Sequence, residues 1–238
     1  MLKLKKAALL MLSSIGKPTK APQELVNAPD KTGSLQQNGL SVVTFCLHTQ
    51  GRKGTYFLKD HLLLFVKSGI YTVRFRDREY TVRSNEMVFL HRSILIEYEK
   101  SGEASSEYML DYMMFFLNEK LLEEFVKFAG LKSIYPVNDV VPISIIPVNE
   151  LIRTYFESLQ PYFDVPSHVS EGLIKVKLME LLFHLTNSNE RFLYQLLVTE
   201  LTTSASNIMN VPESAFIVLV KENEPENIGF SGKLLADR

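Results

Sequence analysis

The chain has 238 residues, 46% of them hydrophobic and 22% charged, an ordinary balance for a globular protein able to bury a sizeable core in one or two domains. A formal charge of −1 sets up no general field for nucleic acid, which counts against a self-sufficient DNA binder. No stretch approaches the roughly 18 apolar residues needed to span a bilayer, so no membrane partner is expected, and the single cysteine, Cys46, has no partner for an internal disulfide, which points to a reducing, cytoplasmic setting.

The amino terminus, MLKLKKAALLMLSSIGK, has a basic start and a short apolar run like a weak secretory signal, but no small-x-small cleavage site follows. It reads as a short amphipathic helix or a mobile leader. Residues 18–40 are rich in Pro, Gly, Asn and Gln and too polar for a core, so residues 1–40 are expected to form a leader and linker. Order begins near Ser41. SVVTFCL, GTYFL, HLLLFV, IYTVRFR, REYTVR, MVFLH, ILIEYE and EYMLDYMMFFL are strand-like runs, separated by turn residues at the spacing of a sandwich or barrel. Within them Tyr71, Val73 and Phe75 alternate with Thr72, Arg74 and Arg76, the period of a half-buried strand. Asp77 and Arg78 are expected to turn between two of these strands.

After Leu117 the period changes from two to that of a helix. NEKLLEEFVKFAG places Leu121, Leu122, Phe125, Val126 and Phe128 on one face, with Asn118 as N-cap and Gly130 as stop. Residues 131–147, with Pro136, Pro142 and Pro147, read as an irregular connector. Helices are then expected over NELIRTYFESLQPYF, over Ser167 to Asn187 and over ERFLYQLLVTEL. On the second of these Ile174, Leu178, Leu181 and Leu185 make one apolar stripe, widened by Val176, Met179 and Phe183, which is too broad to cover only one face of a barrel. Such a helix should be covered on most sides by protein or by a second subunit, and a homodimer interface through the stripe is expected, with Glu171–Lys175 and Lys177–Glu180 on the exposed arc. The last residues contain a strand-like AFIVLV and a turn-rich NEPENIGFSG, and their charges of both signs make no phosphate-binding stripe.

The order of these elements resembles the amino-terminal half of AraC-type transcription regulators. The wording HLLLFVKSGIYTVRFRDREYTVRSNEMVFLHR, then YMLDYMMFFLNEKLLEEF, then IKVKLMELLFHLTNSNERFLYQLL carries that likeness, over about residues 41–201. The resemblance implies an α+β fold, with a cupin-like antiparallel β-barrel of about eight strands over 41–117 and a helical dimerisation subdomain over 118–201. It implies a non-enzymatic sensing and dimerising role, with a small-molecule effector or a regulatory protein as partner. The residues after Leu201 are too few for the paired helix-turn-helix units of such regulators, so 202–238 is expected to be an irregular tail, and no direct DNA binding is expected.

Three sets of side chains are candidates for chemistry. His48, His61, His91, His168 and His184 are scattered singly, without the His-x-His pattern of a cupin metal centre, so no metal, cofactor or catalytic residue is expected; the alternative is a cupin-like enzyme or binding protein whose ligands do not align. His61 and His91 read as partly exposed strand-end residues, the alternative being a pair brought together through the fold that would still need further ligands to hold a metal, and the pair Cys46 and His48 lacks a third group to orient a nucleophile. Arg74, Arg76, Arg78, Arg83 and Arg92 intermix with Asp77, Glu79, Glu86 and Glu97, as on a solvated sheet face. The aromatic residues by default simply fill the interior of a small barrel; in the alternative, where they line a cavity, Tyr71, Phe89, Tyr98 and Tyr112 are the candidates for a ligand-lining set, with Thr72, Arg92, Glu97 and Asp111 expected to face outward. A slip of one residue would invert that assignment.

Overall fold

Alternating apolar residues build two sheets, each presenting a face to a shared core. The computed structural model of the chain describes residues 18–27, 33–38, 40–48, 51–102, 109–129, 142–188, 209–210, 229–230 and 233–234. All eight strand-like runs are strands: β3 (Leu40–His48), β4 (Arg52–Leu58), β5 (His61–Ser68), β6 (Ile70–Phe75), β7 (Arg78–Val82), β8 (Glu86–Leu90), β9 (Leu95–Ser101) and β10 (Leu110–Leu117). Three further strands join them, β1 (Thr19–Ala21), β2 (Gly33–Gln37) and β11 (Ile143–Pro147). One sheet has the order β1-β4-β9-β6-β7 and the other β11-β8-β5-β10-β3-β2.

The fold is α+β and cupin-like, but the expected closed barrel is instead two facing sheets. The consecutive strands β7 and β8 lie in different sheets, and the ladder is interrupted between them. The segment expected to be a loose arm supplies an edge strand to each sheet: β1 pairs in parallel with β4, and β2 pairs with β3. Its polar composition misled because an edge strand needs only main-chain bonds and one or two buried side chains, here Ala21 and Leu35. The expected connector likewise yields β11, which pairs with β8 over Ile143–Pro147 and ends on a proline, as an edge can. The β6–β7 turn is Arg76–Asp77, one residue earlier than expected, with Phe75 opposite Arg78 and Arg76 in the left-handed region at φ 56°.

The core between the sheets contains Tyr56, Leu58, Tyr71, Val73 and Ile96 from one side and Leu62, Leu64, Val88, Tyr112 and Phe116 from the other. The outer face of the six-stranded sheet is covered too. Helix α2 (Glu150–Asp164) lays Phe156 against Phe65 and Phe115, with ring centroids 4.0 and 5.4 Å apart. That double covering is why β5 and β10 read as unbroken apolar runs rather than alternating ones.

Helix α1 spans Glu119–Ala129 and α3 Glu171–Ser188. Asn118 and Asn149 cap α1 and α2, each accepting from a backbone N–H at 2.9 Å, and the Ser170 hydroxyl accepts from Leu173 N at the start of α3. Tyr155 donates its hydroxyl proton to the Lys177 carbonyl at 2.7 Å, tying α2 to α3. The chain divides into two compact units, residues 1–122 with 142–184, and residues 123–141 with 185–238. In the second, Gly229–Phe230, in the expected turn-rich segment, pairs with Lys233–Leu234 just after it. The expected leader over 1–17, the stop at Gly130, the helix ERFLYQLLVTEL and the run AFIVLV lie outside the described residues.

The apolar stripe on α3 is buried. Ile174, Leu178, Leu181 and Leu185 are 2, 0, 0 and 0% exposed in a single copy of the chain. An apolar stripe of this width marks a face as buried without saying what buries it. Val176, expected to widen the stripe, is instead 61% exposed.

Candidate functional site

Strand alternation brings a cation and four tyrosines together between the sheets. On β9, Ile96, Tyr98 and Lys100 share the inward phase, while Glu97 and Glu99 point the other way and pair with solvent or with Arg74. Register sets Lys100 opposite Tyr71 and Tyr98 opposite Val73 on β6. From the facing sheet β10 contributes Tyr112, while β4, beside β9 in the same sheet, contributes Tyr56.

Lys100 is 1% exposed, and its Nζ donates to the Tyr112 hydroxyl at 2.6 Å. The ammonium also stands 5.3 Å from the Tyr98 ring centroid and 4.9 Å from that of Tyr112, so the negative ring faces replace part of its lost hydration. Tyr98 stacks on Tyr56 at 4.4 Å, and Tyr71 lies 5.9 Å from Tyr98 and 5.4 Å from Tyr112. Burial, reinforced by Cys46, Tyr71 and Tyr56, pushes the Tyr112 phenol well above its ordinary range, so it stays neutral. Gly54 makes room for this arrangement. It pairs with Tyr98 across the β4–β9 ladder, and a Cβ there would sit 2.7 Å from the Tyr98 hydroxyl oxygen.

Of the four expected lining residues, the structure brings Tyr71, Tyr98 and Tyr112 together and places Phe89 elsewhere. On β8 the inward residues are Val88 and Leu90, so Phe89 lies on the opposite sheet face, 5.4 Å from His61 and 4.9 Å from His91. Asp111 faces away from Tyr112 as expected but is buried, held by Lys67 at 3.5 Å, and burial raises its pKa above the usual carboxylate range against the pull of Lys67. Lys100 and Tyr56 were missed from the sequence. The signal for Lys100 was present: it stands two residues after Tyr98, in the same phase of β9.

The other candidate sets resolve differently. His61 and His91 are not partly exposed strand ends; they are 0 and 4% exposed, with rings 5.3 Å apart. Arg92 N donates to His61 Nδ1 at 3.3 Å, and burial, then the neighbouring His61, holds the His91 pKa down at about 3. Among the described residues no group of three His, Cys, Asp or Glu side chains is placed to hold a metal ion. Arg74 is bridged to Glu79 and Glu99 on the outer face, whereas Arg92 is partly buried against Glu119. Cys46 is buried beside the tyrosines, and the His48 side chain lies outside what is described.

A family model described as the ExsA N-terminal regulatory domain matches residues 61–195. A second, described as a tautomerase enzyme, matches residues 194–238. Comparison with curated proteins found no match. Among solved structures the chain is similar to unsaturated fatty acid-bound ToxT from Vibrio cholerae strain SCE256, at 11% identity and a TM-score of 0.44, covering 61% of this chain and 54% of that one. It is also similar to ToxT from Vibrio cholerae O395, at 10% identity and a TM-score of 0.41, covering 62% and 54%. The AraC-like transcriptional activator CuxR matches at 7% identity and a TM-score of 0.44, covering 73% and 68%. The chain therefore spans little more than half the length of the ToxT chains it matches.

Proposed function

Because the chain belongs to the family of ExsA N-terminal regulatory domains, we propose that it is the sensing part of an AraC-type transcription regulator and that the aromatic cluster between its sheets receives the effector. The observation that carries this reading is Lys100, a cation buried in an aromatic cluster and bonded to a neutral phenol. Burying an ammonium is costly even when it is partnered, and a cation kept among aromatic rings offers a donor that a ligand oxygen can engage. A ligand acceptor oxygen would take over from the Tyr112 hydroxyl as partner of Nζ, while its apolar body lies among Tyr56, Tyr71 and Tyr98. The reading makes the domain a non-enzymatic, cytoplasmic binding module. Pairing with a second copy would use a face other than the buried α3 stripe.

Thermal-shift screening of the chain against a metabolite panel tests the reading. At least one compound should raise the melting temperature of the wild type and fail to raise that of Tyr98→Ala or Lys100→Met. If stabilising compounds act equally on both variants, the effector is not held there.

A further inference from the structure

On the other side of the six-stranded sheet, a cleft of about 360 Å³ opens between β5, β10 and α2. Its floor is apolar: Phe65 and Met113 are cross-strand partners on β5 and β10, and Phe156 of α2 stacks on Phe65 at 4.0 Å. Its wall is polar and comes from one helix face, where Arg153, Glu157 and Gln160 follow the three- and four-residue spacing of α2. Lys67 and Asn85 close the opposite side.

The charges decide what fits. Lys67 is matched by Asp111, and the Arg153 NH1 group by Glu150 at 3.0 Å. Among the described residues that leaves the Glu157 carboxylate as the surplus charge on the wall, so a plain anion is disfavoured. Yet the Arg153 Nε–H is buried and has no acceptor among the described residues, a cost that a ligand oxygen would relieve. A ligand with an oxyanion for Arg153, a cationic nitrogen for Glu157 one helical turn on, and an apolar group for the aromatic floor meets all three demands. We propose that this cleft binds a small zwitterion with an apolar side chain, the chemistry of a free apolar amino acid, at a site separate from the space between the sheets.

Calorimetric titration of the full chain with L-leucine and L-phenylalanine tests this, beside L-leucinamide, which lacks the carboxylate, and N-acetyl-L-leucine, which lacks the ammonium. Saturable binding of an amino acid is expected, weaker by about tenfold or more for each analogue. Arg153→Gln and Glu157→Gln, both at positions open to solvent and checked for folding by circular dichroism, should each weaken the parent to the level of the matching analogue. Tyr98→Ala should leave the titration unchanged, which keeps this site distinct from the one between the sheets. No saturable binding of either amino acid overturns the proposal. So does N-acetyl-L-leucine binding as tightly as L-leucine, or binding lost in Tyr98→Ala but kept in Arg153→Gln.

Discussion

Lys100 and Tyr112 form the most informative pair of residues, and their two truncations should differ in sign. Tyr112→Phe removes the hydroxyl that accepts from a buried ammonium at 2.6 Å and should cost about 1.5–3 kcal/mol in urea unfolding, the range for a hydrogen bond to a charged group. Lys100→Met removes the charge itself and should be neutral or stabilising, because a buried ion is weak evidence for stability. His91 gives a pH test. Its folded pKa is about 3 against 6.5 for the free side chain, so the unfolded state takes up a proton first. The stability this group contributes is complete above 6.5 and falls by about 1.4 kcal/mol per pH unit on acidification towards 3. His91→Gln should flatten that limb of the stability profile; an unchanged slope would assign the acid sensitivity to other groups. At this scale the sequence was only partly legible. Tyr71, Tyr98 and Tyr112 could be grouped from their phases within single strands. Phe89 could not be separated from them, because β8 is apolar on both faces and its phase is invisible.

At the scale of elements, the central strands and the helix caps were readable, since period two, period 3.6 and Asn before an apolar run each have one physical cause. Asn149→Ala should cost about 1 kcal/mol through the lost bond to Ile152 N, measurable as a lowered denaturant midpoint with an unchanged slope. What escaped reading were β1, β2 and β11, whose stability comes from pairing with β4, β3 and β8 rather than from their own composition. The α3 stripe was correctly seen as buried, but amphipathicity does not say whether a helix is covered by its own chain or by a copy. Leu178→Ala should therefore destabilise the chain by about 2–5 kcal/mol at every protein concentration, as a core truncation does. A loss of stability that appears only on dilution would return the stripe to an interface between copies.

For the whole molecule, strands followed by helices were legible from strand spacing and the switch to helical period, the cupin-like form was what the resemblance implied, and the split into two facing sheets depends on long-range pairing that no local pattern encodes. The near-neutral charge carries its own prediction: titrated against mixed DNA at low salt, the chain should show no tight binding with a steep salt dependence, since few phosphate contacts are available to release counterions. The central claim is that an effector enters between the sheets and engages Lys100. It is tested most directly by NMR of protein labelled at the lysine ε-carbons. The Lys100 signal, assigned by its loss in Lys100→Met, should lie upfield because its ammonium stands over the Tyr98 and Tyr112 rings. A compound that stabilises the protein should move this signal while the exposed lysines stay in place. Stabilisation with the Lys100 signal unmoved would contradict the account.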